Sequence, residues 1–267
     1  MSDPGRPGAG LLAWLDGPPG APVLVLGNSL GTSREVWEPQ VPVLRRHFRL
    51  LRYELPGHGS AAGGWSPGPP GPYTVSGLGR QVLALLDARG LDRVLYAGIS
   101  LGGMIGMWLA ANAPERVAGL GLCCTSAYLP PASGWADRAA LVRASGLAPV
   151  IEASLQRWFP GRWLDRNPAQ AQRFSAMLAG IEPEGYAGCC EAIGSMDLRG
   201  SLAAIAAPTL VIAGAGDPAT PPSHGAAIAA GIPGAALRVV SGASHLASVS
   251  AAAEVTARLL AHLGPRT

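Results

Sequence analysis

The run Gly98-Ile99-Ser100-Leu101-Gly102 sets a hydroxyl between two glycines where a short apolar segment, Val94–Gly98, gives way to a helical one, Leu101–Asn112. A serine nucleophile needs that setting. The turn that projects its side chain is too tight for Cβ atoms on either flank, and the helix starting behind it offers unpaired N–H groups and a positive dipole end to a developing oxyanion. The chain holds 37 glycines, so the five-residue pattern alone is weak. Its place between a strand and a helix makes it informative.

A serine hydroxyl requires a general base, and five histidines compete for the role. His47 lies in an arginine-rich patch and His262 within a helical stretch, so both read as surface residues. His58 belongs to a Pro-Gly-His-Gly turn and reads as structural. His224 precedes the last strand-like segment. His245 follows that segment, in Ser241-Gly242-Ala243-Ser244-His245-Leu246, and is the base of choice. An anionic group must orient it. Asp217, in Gly214-Ala215-Gly216-Asp217-Pro218, closes the preceding apolar segment, and an earlier location is excluded because Cys124-Thr125-Ser126 carries no carboxylate. The order Ser100, Asp217, His245 is that of the α/β-hydrolases. The oxyanion is expected to meet the backbone N–H of Leu101 and one from the loop Gly27-Asn28-Ser29-Leu30-Gly31, with Ser29 the candidate donor by position and Asn28 a structural turn residue.

Such residues converge only if a sheet carries them. Apolar runs at Val23–Leu26, Phe48–Tyr53, Val94–Gly98, Val117–Cys123, Thr209–Ala213 and Leu237–Val240 read as strands. Helical spacing runs from Thr74 to Arg89, with Leu78, Val82, Leu85 and Leu86 on one face, and again from about Ala251 to Leu263. Alternation of this kind predicts an α/β fold with a mostly parallel sheet. From Tyr128 to Leu202 no strand signal appears, only helical stretches rich in Trp and Arg. That is far more chain than a crossover requires, and it predicts a helical cap over the C-terminal edge of the sheet. The expected division is a core of residues 1–128 and 203–267 with a cap of 129–202. Gly63–Pro72 reads as a surface loop.

Composition removes other classes. The chain of 267 residues is 48% hydrophobic and 14% charged, which fits a globular protein with a substantial core. Its net charge of +3 argues against nucleic acid. The chain has no lysine; all 20 of its Lys or Arg residues are arginine, which excludes Schiff-base, pyridoxal-phosphate and P-loop lysine chemistry. Cys123–Cys124 and Cys189–Cys190 lack metal-type spacing and read as buried thiols, so neither metal nor cofactor is expected. No apolar run near Met1 reads as a signal peptide, and the uncharged stretches Val117–Ala136 and Ser201–Gly216 are broken by Gly or Pro, so a cytoplasmic protein without a membrane span is expected.

Several segments together resemble the 3-oxoadipate enol-lactonases. They are Asn28-Ser29-Leu30-Gly31-Thr32, Tyr53-Glu54-Leu55-Pro56-Gly57-His58-Gly59, Gly98-Ile99-Ser100-Leu101-Gly102-Gly103-Met104, Ala113-Pro114-Glu115-Arg116-Val117, Gln156-Arg157-Trp158-Phe159, Asp217-Pro218-Ala219-Thr220-Pro221-Pro222 and Ser244-His245-Leu246-Ala247-Ser248. The triad motifs are common to the superfamily, whereas the Asn-Ser-Leu-Gly loop, the Arg-Trp-Phe run and the Asp-Pro-Ala-Thr-Pro-Pro turn narrow it. Glu54 stands where the family often has Asp and Leu101 where it often has Met; Arg34 and the Gly63–Pro72 insertion are departures too.

The resemblance implies an α/β-hydrolase fold with a cap after the family's sixth strand. The implied activity is the opening of a small carboxylated enol-lactone in aromatic catabolism. A carboxylate arm on the substrate calls for Arg138 or Arg157 in the cap, with Trp135 and Trp158 as apolar walls. Rival readings are a general carboxylesterase or cofactor-free perhydrolase with the same triad, and a receptor-like fold that binds a lactone without turning it over.

Overall fold

The computed structural model describes residues 3–4, 10–60, 64–65 and 71–265. Strands β1 (Asp3–Pro4), β2 (Ala13–Asp16) and β3 (Val23–Gly27) come first, then a short helix α1 (Val41–Leu44) and β4 (Arg49–Tyr53). A two-residue pair, β5 (Gly59–Ser60) with β6 (Gly64–Trp65), leads to α2 (Val75–Ala88), β7 (Val94–Ile99), α3 (Leu101–Asn112) and β8 (Val117–Cys123). Helices α4 (Ala132–Ser145), α5 (Ala148–Trp158), α6 (Gly161–Arg166), α7 (Pro168–Ala179) and α8 (Pro183–Gly194) fill the stretch before β9 (Thr209–Gly214). The chain closes with α9 (Pro222–Gly231), β10 (Ala236–Val240), α10 (Ala247–Ser250) and α11 (Ala252–Leu263).

Eight strands form one sheet in the order β1-β2-β4-β3-β7-β8-β9-β10. Only the β1–β2 and β2–β4 pairs are antiparallel. The central strands are continuous apolar runs because helices cover both faces: every residue of Thr209–Gly214 is buried, and so are six of the seven in β8, all but Ala118. Parallel pairing brings the C-terminal ends of β3, β7, β8, β9 and β10 to one edge, where open α/β sheets bind ligands.

Helix α2 buries Leu78, Val82, Leu85 and Leu86, the face its spacing predicts, and Thr74 caps it by accepting the Gly77 N–H at 3.0 Å. Strand β2 was not legible in the sequence. Its four residues, Ala-Trp-Leu-Asp, show no clear period, and it exists because β4 offers a backbone edge, pairing Trp14 with Arg52 and Leu15 with Leu51. The loop expected at Gly63–Pro72 includes the Gly64–Trp65 strand; residues 61–63 and 66–70 lie outside the described residues. A lone bridge, Tyr128 to Asp197, joins the two ends of the five-helix stretch. All four cysteines are buried and free. No helix among the described residues is long and apolar enough to cross a membrane.

Candidate active site

Ser100 sits between β7 and α3 with φ 54° and ψ −117°, a conformation that costs a non-glycine residue roughly 1–3 kcal/mol. The surroundings hold it there. Its N–H donates to the Cys123 carbonyl at 3.0 Å, and its own carbonyl accepts the Thr125 hydroxyl at 2.7 Å and the Met104 N–H at 3.0 Å. The flanking glycines are required by contact. A Cβ on Gly98 would collide with the Gly102 carbonyl, and one on Gly102 would collide with the Gly27 carbonyl. Strand β3, strand β7 and helix α3 therefore meet backbone to backbone, and the serine is pushed out of the turn.

The loop after β3 is fastened from several sides. Gly102 donates to the Asn28 carbonyl at 2.9 Å, Trp37 Nε1 to the Gly27 carbonyl at 3.1 Å, and the Thr32 hydroxyl to the Ser29 carbonyl at 2.9 Å. The Asn28 side chain donates to the Tyr53 carbonyl at 2.7 Å and to Glu54 at 3.1 Å, so Asn28 is the structural residue and Ser29 the one that reaches the cavity. Leu101 opens α3, and its N–H belongs to the first turn, where amides have no intrahelical acceptor. His58, fully buried, accepts the Gly31 N–H at Nε2 (3.1 Å), with Nδ1 2.9 Å from the Pro56 carbonyl. Only the neutral ring protonated on Nδ1 satisfies both partners, and burial lowers its pKa to about 4.

Glu54 accepts the Arg34 N–H on both oxygens, at 3.1 and 3.0 Å, and burial still pushes its carboxyl up to about 8. The Arg34 guanidinium lies 4.0 Å from the centre of the Trp14 ring. Arg34 does not line the cavity.

Asp217 and His245 converge from the ends of β9 and β10. Asp217 Oδ2 is 2.8 Å from His245 Nδ1 and accepts the Thr220 hydroxyl at 2.7 Å. Its Oδ1 accepts the N–H groups of Ala219 and Thr220 at 2.8 and 3.0 Å. Burial opposes the charge, yet the facing His245 and these donors hold the Asp217 carboxyl below the usual range. An ionised Asp217 keeps the proton of His245 on Nδ1 and leaves Nε2 free to accept. Thr220 was not assigned a role from the sequence; it stood in view as part of the Asp-Pro-Ala-Thr turn, but nothing in its spacing shows that its hydroxyl turns back on the acid.

Ser29, Ser100 and His245 line one cavity of about 160 Å³. Trp135, Arg138, Arg157 and Trp158 line it as well, so the four residues expected from the helical stretch come to the same place as Ser100. Leu30, Met104, Leu129, Tyr186 and Ile193 complete the apolar wall; the sequence did not single these out, since core and cavity positions look alike before the chain is folded. The Arg138 guanidinium lies 5.0 Å from the Trp135 ring centre, and Arg157 Nη2 donates to Ser154 Oγ at 3.0 Å. Among the described residues no carboxylate pairs with Arg138 or Arg157, although eight other arginines have an acidic partner. Burial first, and the Arg138 charge second, lower the Arg157 pKa. The remaining histidines are elsewhere: His262 Nε2 is 3.1 Å from the Pro208 carbonyl, His47 packs edge-on to Phe48, and His224 lies in α9. The cysteines are inert by the same logic, since burial raises every thiol pKa well above its ordinary value.

Comparison with known proteins agrees with this architecture. The α/β-hydrolase fold family matches residues 22–252. The chain is 38% identical over 228 residues to 3-oxoadipate enol-lactonase 2 of Acinetobacter baylyi, covering 85% of this chain and 83% of that one. An enol-lactonase crystal structure from Burkholderia xenovorans superposes with a TM-score of 0.91 at 37% identity, covering 95% and 96% of the two chains. A thermophilic esterase from Thermogutta terrifontis, solved with malate bound, superposes with a TM-score of 0.87 at 27% identity, covering 95% and 92%. With the fold, the sequence motifs and the relatives in accord, the chain belongs to the α/β-hydrolase family, among the enol-lactonases, and is an enzyme of the carboxylic ester hydrolase class.

Proposed function

We propose that this enzyme opens a small carboxylated enol-lactone, 3-oxoadipate enol-lactone, to 3-oxoadipate, as a step in the breakdown of aromatic compounds. The observation that carries the substrate's charge is the pair of guanidinium groups, Arg138 and Arg157, on the wall of the cavity that Ser100 and His245 share, with no acidic partner among the described residues. A desolvated cation without a counter-charge is costly, and a substrate carboxylate removes that cost. Trp135 and Trp158 flank the carbon skeleton. The stretch 129–202 acts as the cap that carries these residues over the core. The relatives' names support the same substrate, and the malate in the Thermogutta esterase is a short dicarboxylate, the class to which the product belongs.

In this reading Ser100 Oγ attacks the lactone carbonyl while His245 Nε2 takes its proton, and Asp217 steadies the imidazolium through Nδ1. The N–H groups of Leu101 and Ser29 receive the oxyanion. Collapse breaks the ring C–O bond. The leaving oxygen departs as an enol, protonated by His245, and tautomerises to the ketone while still tethered to the acyl chain. Water, deprotonated by His245, then attacks the acyl-enzyme and releases the acid with Ser100 restored.

Side-by-side assay of the enol-lactone and a neutral aryl ester, with Ser100→Ala as control, tests this. A kcat/KM for the lactone far above that for the ester supports the reading. Equal turnover of both would make the enzyme a general carboxylesterase.

A further inference from the structure

The end of α5 faces two ways. The side chains of Arg157 and Trp158 line the cavity, while their main-chain carbonyls accept the N–H groups of His245 at 3.4 Å and Leu246 at 3.0 Å. Those carbonyls are free to do so because the helix stops there: Phe159 turns extended, at φ −129° and ψ 146°, and the last carbonyls of a helix have no intrahelical partner. The His245 loop is therefore hung from the helix that carries Arg157. It is also attached on the acid side, by Nδ1 of His245 to Asp217 and by Ser244 Oγ to the Gly216 carbonyl at 3.2 Å, and to neighbouring elements, where Cys124 Sγ donates to the Ser244 carbonyl at 3.7 Å and Gln40 Nε2 to the Ser248 carbonyl at 2.7 Å.

The Arg157 guanidinium is the loosely held part of this link. Among the described residues its hydrogen-bond partner is the neutral Ser154 Oγ, and it faces the like charge of Arg138. An anion between the two guanidiniums would replace repulsion by two charge-assisted contacts and order the end of α5.

We propose that Arg157 is a positioning residue for the base: a substrate carboxylate engaging its guanidinium orders the end of α5, and the Arg157 and Trp158 carbonyls pass that order to the loop bearing His245. Charge recognition then raises kcat as well as lowering KM. Mere binding would act otherwise, since contacts made equally in ground and transition states change KM alone. The inference rests on the carboxylated-substrate reading above.

Hydrogen exchange on the intact protein, with and without succinate as a non-reacting carboxylate, tests it directly. Saturating succinate should slow exchange across residues 243–249 by about threefold or more, and Arg157→Gln should abolish that protection. In kinetics on the carboxylated lactone, Arg157→Gln should lower kcat by about tenfold in addition to raising KM, with Arg157→Lys recovering part of the kcat. Protection of α4 and α5 without protection of 243–249 would overturn the proposal, as would a KM effect with kcat intact. Should succinate protect no part of the cavity wall, the proposal falls as well. Ser100-dependent opening of the lactone would still stand or fall separately. The succinate arm uses the unaltered protein, so a variant that fails to fold does not decide the outcome.

Discussion

Asp217 presents Oδ2 to Nδ1 of His245 at 2.8 Å, in a setting where the aspartate side chain is fully covered and the histidine 6% exposed. In the proposed mechanism Asp217 acts across that contact by fixing the tautomer of His245 and offsetting its charge when it takes the Ser100 proton. Ser100→Ala, His245→Ala and Asp217→Asn should each lower kcat by about 10³-fold or more, since such groups act as a unit. Stopped-flow or steady-state assay on one ester suffices. An Asp217→Asn enzyme that keeps most of its activity would assign the acid to another residue.

Thr220 adds a hydroxyl to the same carboxylate at 2.7 Å and lies 3.3 Å from His245 Nδ1. Thr220→Val removes that donor from a buried anion at nearly constant volume. The expected result is a fall in kcat of roughly tenfold with KM little changed, corresponding to about 1.4 kcal/mol. Thr220→Ser should restore most of it. A loss that serine does not recover would mean that the methyl group, through packing, was the part that mattered.

Arg138 should govern charge selectivity. A charge-assisted contact to a substrate carboxylate contributes about 2–3 kcal/mol, so Arg138→Ala is expected to lower kcat/KM on the carboxylated lactone by roughly 30–150-fold. The loss on a neutral aryl ester should be far smaller. Comparable losses on the two substrates would show that Arg138 braces the helices rather than the substrate.

His58 predicts a pH dependence of stability. Folded, its pKa is near 4; unfolded, it returns to the ordinary value near 6.5. Between those values the unfolded chain holds a proton that the folded chain does not, so acid favours unfolding. The stability His58 contributes is complete above about pH 6.5 and is lost as pH falls towards 4, on the order of 2 kcal/mol by pH 4.5. Thermal melts of the wild type and His58→Gln at pH 7 and pH 4.5 check this. The variant should start lower, having lost a bond to Pro56 or Gly31, but its Tm should drop less on acidification. Parallel drops would place the acid sensitivity elsewhere.

Much of this enzyme was legible from residue order alone. Gly98-Ile99-Ser100-Leu101-Gly102 could be read as a strand-to-helix turn because its chemistry is local: two glycines, an apolar run before and a helix after. The β7, β8 and β9 strands were equally plain, since parallel strands covered on both faces are unbroken apolar runs. The order Ser100, Asp217, His245 follows from which strand each residue succeeds. Other features were decided by contacts between segments far apart in the chain. Strand β2 forms on the edge that β4 provides, and its own four residues do not specify it. The Thr220 hydroxyl could have pointed to solvent, and only the turn at Asp217 directs it inward. That Gly31 is held by His58, and that the His245 loop hangs from the carbonyls of Arg157 and Trp158, follows from main-chain atoms, which carry no residue-specific signal. A hydrogen bond from a backbone amide is open to every residue type but proline, so its partner is chosen by the packing of whole elements and cannot be read from the sequence.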